Sequence, residues 1–429
     1  AATGSPMISI TKGPIARGTI RTGIVLGLRL LVQAGTLLLV ARLLGPREYG
    51  AFAGVAALAV VLGTVSTFGT QLVLLGEVSR DAARRAQILQ YAVPFTLLCG
   101  TILLGIYLLL CTTVLHEAGV SISVLIAIGA TELLLQSLLS LPAAEHLALG
   151  RIARSQLLTT LPLALRLAAA AAVILLRPAN PLAAYGYGYF IASVIALVIA
   201  TATMPAPWPR LRLWRLPNKT ELREAAGYAA LNVTATTPAE LDKTLATKLL
   251  PLATSGLYAA GARVIGAATL PVVAMMLSAL PRLFREGQDK VRQTGRLLRW
   301  VFGAAFAYGV ALAIVLWFIA PVFVWLFGPR YTGIPHIVHW LCLAVPGMAL
   351  RLVAGNVLMA LGKPWMRAGF EVAGVVLLII AAVILTAYLQ ATGMALALAC
   401  SEWVMAVLGC MMVYSLRKRR LNESVTQLR

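Results

Sequence analysis

The sequence predicts an all-α polytopic membrane protein with about 12 transmembrane helices in two six-helix lobes. Its composition is the first reason, because 60% of the 429 residues are hydrophobic, 12% are charged and the mean hydropathy is +0.87. Soluble domains are about 45–50% apolar and about 25% charged. The second reason is a series of apolar segments of membrane-spanning length, and the third is the uneven distribution of Lys and Arg between the connections. A water-soluble domain is therefore excluded.

Twelve apolar segments follow one another along the chain, each near the roughly 20 residues that a helix needs to cross a bilayer. The predicted spans are 20–44, 50–76, 89–115, 120–147, 155–176, 182–204, 226–250, 255–282, 298–327, 335–361, 366–389 and 393–415. The seventh is the weakest, since it carries Asn232, Glu240, Asp242 and Lys243. A hydropathy window alone would miss it.

Basic residues collect on alternate sides of the predicted spans. Of the 36 Lys and Arg, 25 fall in segments 1–17, 205–224, 416–429 and the other connections on that side, whereas the opposite side holds only Arg47, Arg177 and Arg330. Because Lys and Arg accumulate in cytoplasmic loops, this pattern predicts that both termini are cytoplasmic. The +21 net charge therefore reports orientation and predicts no nucleic-acid partner.

The two halves of the chain echo each other. Arg42-Leu43-Leu44 and Gly50-Ala51-Phe52-Ala53 recur as Lys248-Leu249-Leu250 and Gly256-Leu257-Tyr258-Ala259, at a constant offset of 206 residues. Six spans return the chain to the same side, so the repeats must be parallel and related by an axis along the membrane normal. We expect an N-lobe at 18–204 and a C-lobe at 225–415, joined by the basic linker 205–224.

Ionisable side chains remain deep inside several spans. The cations are Arg29, Arg166, Lys243, Arg263 and Arg351, and the main carboxylates are Glu132, Asp242 and Glu402. A charge at that depth costs at least about 2.5–3.5 kcal/mol, so it normally faces a water-filled cavity or a partner. Polar Gln33, one turn from Arg29, and Asn356 in the tenth span are further candidates for a cavity lining. Some cations can pair with carboxylates, and the balance of the interior leans basic, which suits an anionic substrate.

Two aromatic or histidine motifs have simpler interpretations. The run Tyr185 to Phe190 at one end of the sixth span predicts an interfacial aromatic belt. His336 and His339 have no third ligand nearby in the sequence, and the five cysteines show no metal-ligand spacing, so no metal site is predicted. A phosphate-binding GxxxxGK[ST] run is also absent, which argues against ATP-driven transport by this chain.

Three segments resemble the bacterial polysaccharide exporters, the Wzx-type O-antigen flippases of the multidrug/oligosaccharidyl-lipid/polysaccharide (MOP) exporter superfamily. They are LVARLLGPREYGAFAGVAALAVVLGTVSTFGTQLVLLGEVSRD at 39–81, LDKTLATKLLPLATSGLYAAGARVIGAATLPV at 241–272 and LFGPRYTGI at 326–334. Together with the arrangement of six plus six spans, the resemblance extends over nearly the whole chain. It departs from the family pattern at Thr67-Phe68-Gly69, where an acidic or small residue followed by Leu-Gly is common.

The resemblance implies a flippase that moves an undecaprenyl-pyrophosphate-linked oligosaccharide from the cytoplasmic to the periplasmic leaflet of the bacterial inner membrane, by alternating access through a cationic central cavity. Arg29 and Arg263 correspond to family arginines that would contact the pyrophosphate. We further hypothesise that Arg166 and Arg351 join this anion site, and that Glu132, Asp242 or Glu402 carries a coupling H⁺ or Na⁺. No other cofactor is expected. Besides the lipid-linked glycan, the resemblance implies membrane lipids, a polysaccharide polymerase and a chain-length regulator as partners, and the protein is expected to function as a monomer.

Two alternatives stay open. A cation-coupled multidrug extruder of the same superfamily would share the fold, although its cavity tends to be acidic to suit cationic drugs. A membrane-embedded glycan polymerase or acyltransferase would need a sizeable outer loop with catalytic Arg or His residues, and the connections between the predicted spans are short.

Overall fold

A computed structural model describes the backbone of residues 14–273, 275–276 and 291–426, and the side chains of 27–273, 275–276 and 298–418. The first half of the chain forms seven α-helices and one π-helical turn, in the following order. They are α1 (Pro14–Ser66), α2 (Thr70–Arg80), α3 (Arg85–Thr113), α4 (Ile122–Ala130), the π turn (Thr131–Leu135), α5 (Gln136–Ala148), α6 (Ile152–Leu176) and α7 (Pro181–Ala202).

The second half continues with helices of the same kind. They are α8 (Lys219–Leu249), α9 (Leu252–Ala268), α10 (Val291–Ile319), α11 (Val322–Phe327), α12 (Ile334–Leu341), α13 (Val345–Ala360) and α14 (Pro364–Thr426). Short 3₁₀ turns join several of them, and the described part of the chain contains no β-strand. The prediction of an all-α polytopic protein is confirmed.

Two of these helices each contain two membrane-length segments. Gly45 interrupts α1 at a φ of 71°, directly before Pro46, and Gln390 interrupts α14 at a φ of 49°. Glycine adopts positive φ easily and proline lacks the N–H that a continuing helix needs. Among the described residues, nine apolar helical segments are long enough to cross a membrane. Two of the nine are the kinked helices α1 and α14, which each contain two spans, so the nine segments supply eleven spans. The polar α8 is the twelfth, and as expected hydropathy alone does not find it.

Three spans differ in detail from the prediction. The second is broken between α1 and α2, where Phe68 and Gly69 have positive φ values of 48° and 79°. A Cβ at Gly69 would lie 2.4 Å from the Ala225 carbonyl oxygen, so this close approach requires glycine. The ninth is broken before α11, because Pro321 cannot continue α10. The end of the eighth, 277–282, lies outside the described residues.

The chain divides into two compact units. Unit 1 takes the chain up to Leu43, then Leu62–Thr112 and Ser121–Ala229, and unit 2 takes Leu44–Val61, Thr113–Val120 and the chain from Ala230 onward. The core of unit 1 includes a cluster formed by α2, α3 and α5, and that of unit 2 includes a cluster formed by α10, α13 and α14. A single cut of the chain at the linker would not give these two units, because Leu44–Val61 and Thr113–Val120 precede the linker and belong to unit 2. The pseudo-two-fold relation of the lobes and the sides of the termini stay predictions.

The basic linker is docked on unit 1. The Arg85 guanidinium donates to the Ala206 carbonyl at 2.6 Å, and the Arg215 amide donates to the Gln90 carbonyl at 3.1 Å. Trp208 and Trp214 pack against the α2–α3–α5 cluster. The linker is therefore an ordered part of unit 1.

A capping box starts α8 directly after this linker. The Asn218 side chain accepts from the Glu221 amide and the Glu221 carboxylate accepts from the Asn218 amide, each at 2.8 Å. Arg215 donates two hydrogen bonds of 2.7 and 2.6 Å to the same carboxylate. These bonds lower the pKa of Glu221 and raise that of Arg215. They fix the first turn of α8 to the end of the linker.

Within unit 2, two glycines bring two helices into backbone contact. A Cβ at Gly50 would lie 2.2 Å from the Leu252 carbonyl oxygen, and one at Gly256 would lie 1.8 Å from the Pro46 carbonyl oxygen. Leu252 and Gly256 follow Pro46 and Gly50 by the same 206 residues that separate the sequence echoes. The contact is therefore reciprocal, as a local two-fold axis between these segments would make it.

Candidate substrate and ion sites

A buried charge pair lies in unit 1 where the π turn faces α6 and α7. Arg166 Nη2 lies 3.1 Å from Glu132 Oε1 and donates to the Ser193 hydroxyl at 3.1 Å. The Tyr189 hydroxyl donates to the same Glu132 oxygen, and the Arg166 Cζ lies 3.8 Å from the centre of the Tyr189 ring. All four residues are buried. This Glu132 cluster satisfies the carboxylate with two donors, on a type of turn that is frequent at functional sites.

Arg29 has a different environment on α1. Its guanidinium donates to the Gln156 side chain at 3.5 Å, which is a long hydrogen bond, and it makes no ion pair within the described residues. Gln33, one turn further on, is exposed, and the Thr36 hydroxyl donates to the Val32 carbonyl of its own helix at 2.8 Å. Arg29 is therefore partly exposed, and the polar residues Gln33 and Thr36 follow it along α1.

A second charged cluster lies in unit 2, where α8 packs on α9. Lys243 Nζ lies 3.1 Å from Asp242 Oδ1 and 3.5 Å from Glu240 Oε2, and the Tyr258 hydroxyl donates to Asp242 Oδ2 at 3.0 Å. Arg263 Nη2 lies 3.7 Å from the Glu240 oxygen, and 35% of its side chain is exposed. Lys243 is thus neutralised inside the Asp242 cluster, whereas Arg263 lies at its accessible edge.

A third pair joins α13 to α14 in unit 2. Arg351 Nε donates to Glu402 Oε2 at 2.6 Å, and both residues are buried. The other oxygen, Oε1, has no hydrogen-bond partner among the described residues. Asn356 uses its side-chain amide on the Leu352 carbonyl of its own helix at 2.7 Å. A buried carboxylate oxygen without a donor is unusual, so Glu402 is a natural place for a proton or cation.

Most of the deep charged residues that the sequence analysis named form ion pairs with one another, so each of these cations faces a carboxylate and not a shared anion site. Arg166 pairs with Glu132, Arg351 with Glu402, and Lys243 with Asp242. Arg263 also faces a carboxylate, Glu240, so the expectation of a basic interior reduces mainly to Arg29. Among the described residues, no group of three or more His, Cys, Asp or Glu side chains could hold a metal ion.

Sequence reasoning missed the role of two tyrosines. Tyr189 and Tyr258 both donate to buried carboxylates, although the run containing Tyr189 was expected to form an interfacial aromatic belt. Only Tyr187 of its three tyrosines is exposed, and Tyr185 and Tyr189 are buried with Ser193. The signal was present, because positions 185, 189 and 193 recur every four residues and so share one helix face.

The fold is that of known transporters. The chain is similar to an inward-facing multidrug resistance MATE family transporter of the MOP superfamily, with 13% identity, a TM-score of 0.70 and coverage of 91% of this chain and 95% of that one. It is also similar to the lipid II flippase MurJ in an inward closed conformation, with 11% identity, a TM-score of 0.73 and coverage of 92% and 87%. A MOP superfamily transporter from Pyrococcus furiosus, described as having a binding pocket of reverse polarity, matches with 13% identity, a TM-score of 0.60 and coverage of 93% of each chain.

These likenesses define a multi-pass membrane protein with the MOP transporter fold. The family model described as Polysaccharide biosynthesis protein matches residues 15–286, which is more than half of the sequence, so the chain belongs to that family. No curated protein matches the sequence. The chain thus combines membership of a polysaccharide-biosynthesis family with a fold that known transporters share.

Proposed function

We propose that the protein is a flippase for an undecaprenyl-pyrophosphate-linked oligosaccharide, which it moves from the cytoplasmic to the periplasmic leaflet of a bacterial inner membrane. Its place would be in O-antigen or related lipopolysaccharide biosynthesis, beside a polymerase and a chain-length regulator. The family supports the link to polysaccharides, and the likeness to a lipid II flippase supports a lipid-linked substrate. A pyrophosphate with several sugars cannot cross hydrocarbon unaided, because each unsatisfied polar group there costs several kcal/mol.

The observation that carries this proposal is the uneven neutralisation of the deep cations. Arg166, Arg351 and Lys243 are buried against carboxylates, whereas Arg29 makes no ion pair within the described residues. Arg263 faces Glu240 at 3.7 Å, but one-third of its side chain is exposed. Arg29 in unit 1 and Arg263 in unit 2 are each a candidate ligand for a pyrophosphate, as the family resemblance implies. Guanidinium groups suit this role because their planar donors match two phosphate oxygens at once.

The neutralised clusters are candidates for ion coupling in this proposal. Protonation of Glu402 would leave the Arg351 charge buried without its partner, and an unpaired buried charge strongly destabilises its surroundings. Proton or Na⁺ occupancy at Glu402, Asp242 or Glu132 would thereby favour a different arrangement of the neighbouring helices. Of the three carboxylates, Glu402 has the oxygen without a donor and is the preferred candidate.

Transport by Arg29→Ala tests the substrate assignment. Reconstituted into vesicles with a fluorescent undecaprenyl-pyrophosphate-linked oligosaccharide, this variant should flip at least about tenfold more slowly, because a hydrogen bond to a charged group contributes about 1.5–3 kcal/mol. Arg29→Lys should retain part of the rate, and Arg47→Ala, which removes an exposed cation outside the spans, should match the unaltered protein. Unaltered flipping by Arg29→Ala and Arg263→Ala would refute the assignment.

The multidrug extruder is the second candidate, because a MATE transporter matches the fold across 91% of this chain. The same vesicles distinguish the two functions. A flippase should leave a cationic dye such as ethidium undisturbed under a proton or Na⁺ gradient, whereas an extruder should move the dye and show no dependence on Arg29.

A further inference from the structure

Unit 1 contains a cavity that none of the charged clusters uses. It has a volume of about 500 Å³ and lies between the first segment of α1 and the connection from α6 to α7. Its walls are mainly aliphatic side chains and prolines, including Leu39, Ile174 and Pro178, and its only charged lining residues are Arg42 and Arg177. The cavity is thus apolar with two cations at its edge, and no carboxylate is among its described lining residues.

The position of this cavity is the end of unit 1 opposite the linker. α6 has 25 residues from Ile152 to Leu176 and is therefore about 37 Å long, so Arg177 and Arg151 lie at opposite ends of a membrane-spanning helix. Arg177 is one of only three cations in the connections predicted to face outward, and Arg42 lies close to the same end. Cations are scarce at this end of the spans, and two of them line one cavity.

The backbone of Arg177 is held in a conformation that does not favour arginine. Its φ and ψ are 47° and 55°, in the left-handed region, and its amide donates to the Val173 carbonyl at 3.0 Å to end α6. Glycine is the usual residue at this helix end, and a residue before proline prefers an extended conformation. Arg177 is not a glycine, and its backbone is not extended although Pro178 follows it. A non-glycine residue held in such a conformation is a reason to look for a role of its side chain.

We propose that this cavity is a second lipid site, in which Arg42 and Arg177 bind the phosphate headgroup of a membrane lipid and the aliphatic wall holds the first part of its hydrocarbon chain. Each guanidinium group offers several N–H donors in a planar fork that matches two phosphate oxygens at once. Basic pockets beside apolar transmembrane surface suit phosphate headgroups for the same reason. The headgroup can belong to a resident phospholipid or to a polyprenyl phosphate.

Native mass spectrometry of the purified full-length protein tests this site. Each sample carries Arg29→Ala, so that the proposed pyrophosphate ligand on α1 does not contribute. The lipids are phosphatidylglycerol, undecaprenyl phosphate and diacylglycerol, which lacks a phosphate. We expect both phosphate lipids to bind, and Arg42→Ala with Arg177→Gly to weaken their binding about tenfold or more. Arg177→Lys should retain part of the affinity, and Arg47→Ala should retain all of it.

The choice of glycine at position 177 keeps the test independent of folding, because Arg177→Gly relieves the backbone and should leave the unfolding temperature unchanged or higher. Tighter binding of undecaprenyl phosphate than of phosphatidylglycerol, lost when the two arginines are replaced, would identify a binding site for a polyprenyl lipid. Equal binding of both phosphate lipids would identify a site for a resident phospholipid. Equal binding of diacylglycerol, or no effect of the double variant, would overturn the proposal. Because no transport is measured, such a failure leaves the flippase assignment standing.

Discussion

Ion pairs between individual residues determine which of the deep cations could contact a substrate. Arg166 and Glu132 are 34 positions apart in sequence, and Arg351 and Glu402 are 51 apart, yet each pair is in direct contact. A buried pair of this kind adds little net stability compared with apolar residues, but removal of one partner leaves an uncompensated charge. These pairs therefore fix which helices stay together and leave Arg29 and Arg263 as the accessible cations.

A double-mutant cycle measures the coupling in the Glu132 cluster. Arg166→Met and Glu132→Gln should each destabilise the purified protein by about 3–5 kcal/mol, because each leaves a buried group without its partner. The double variant should lose less than the sum, by at least about 1 kcal/mol, since glutamine still accepts from Tyr189 and no charge remains. Thermal or denaturant unfolding in detergent gives the values, and strictly additive losses would contradict the pairing.

The sequence identifies the deep charges well but not their partners. Arg29, Arg166 and Glu132 stand out because hydropathy should exclude them from a span. Which carboxylate meets which cation depends on how the π turn, α6 and α7 pack, and no periodicity within one helix contains that information. The spacing of positions 185, 189 and 193 indicates the helix face that carries Tyr189, but not the carboxylate that its hydroxyl meets. The partner of Tyr258 likewise depends on how α8 and α9 pack.

At the scale of elements, the spans follow from apolar length and their interruptions from local backbone chemistry. The twelve helices were predictable, including α8, whose polar residues a hydropathy window rejects. The breaks at Phe68-Gly69 and before α11 were not, because positive φ and the effect of Pro321 appear only when neighbouring helices fix the path. The backbone contact at Gly50 and Gly256 was not predictable either, because the sequence shows the repeat but not that its two copies pack against each other.

Alanine at either of these glycines should disrupt unit 2. A Cβ at Gly50 or Gly256 would lie within about 2 Å of a backbone oxygen, so the helices must separate. We expect each variant to lower the free energy of unfolding by about 1–3 kcal/mol or more. Gly266→Ala is the matched control, because it lies on α9 with nothing within 4 Å of a new Cβ and should be neutral or slightly stabilising. An unfolding temperature unaltered by Gly50→Ala would argue against the contact.

At the scale of the whole molecule, the distribution of charge predicts orientation. The linker and the other segments predicted on its side of the membrane carry 25 of the 36 cations, whereas the α6–α7 connection carries one. This distribution predicts that the linker faces the cytoplasm and that the proposed lipid cavity faces outward. Substrate loading and the second lipid site would then lie in opposite leaflets.

Cysteine labelling in intact cells tests this orientation. In a variant that lacks the five native cysteines, Ala179→Cys should react with a membrane-impermeant maleimide added outside. Arg212→Cys in the linker should react only after the cells are permeabilised, because both positions are exposed but on opposite sides. The reverse pattern would invert the assigned orientation, and the parent without cysteine gives the background.

The reciprocal glycine contact also bears on how the gene could have changed over time. If the two halves descend from one duplicated segment, each copy inherited a glycine facing the carbonyl of the other. A side chain gained in one copy could not be accommodated by a smaller residue in the second, because the obstacle is a peptide oxygen that every amino acid carries. We therefore expect Gly50 and Gly256 to be retained or lost together in descendants of this sequence, while the residues around them diverge freely.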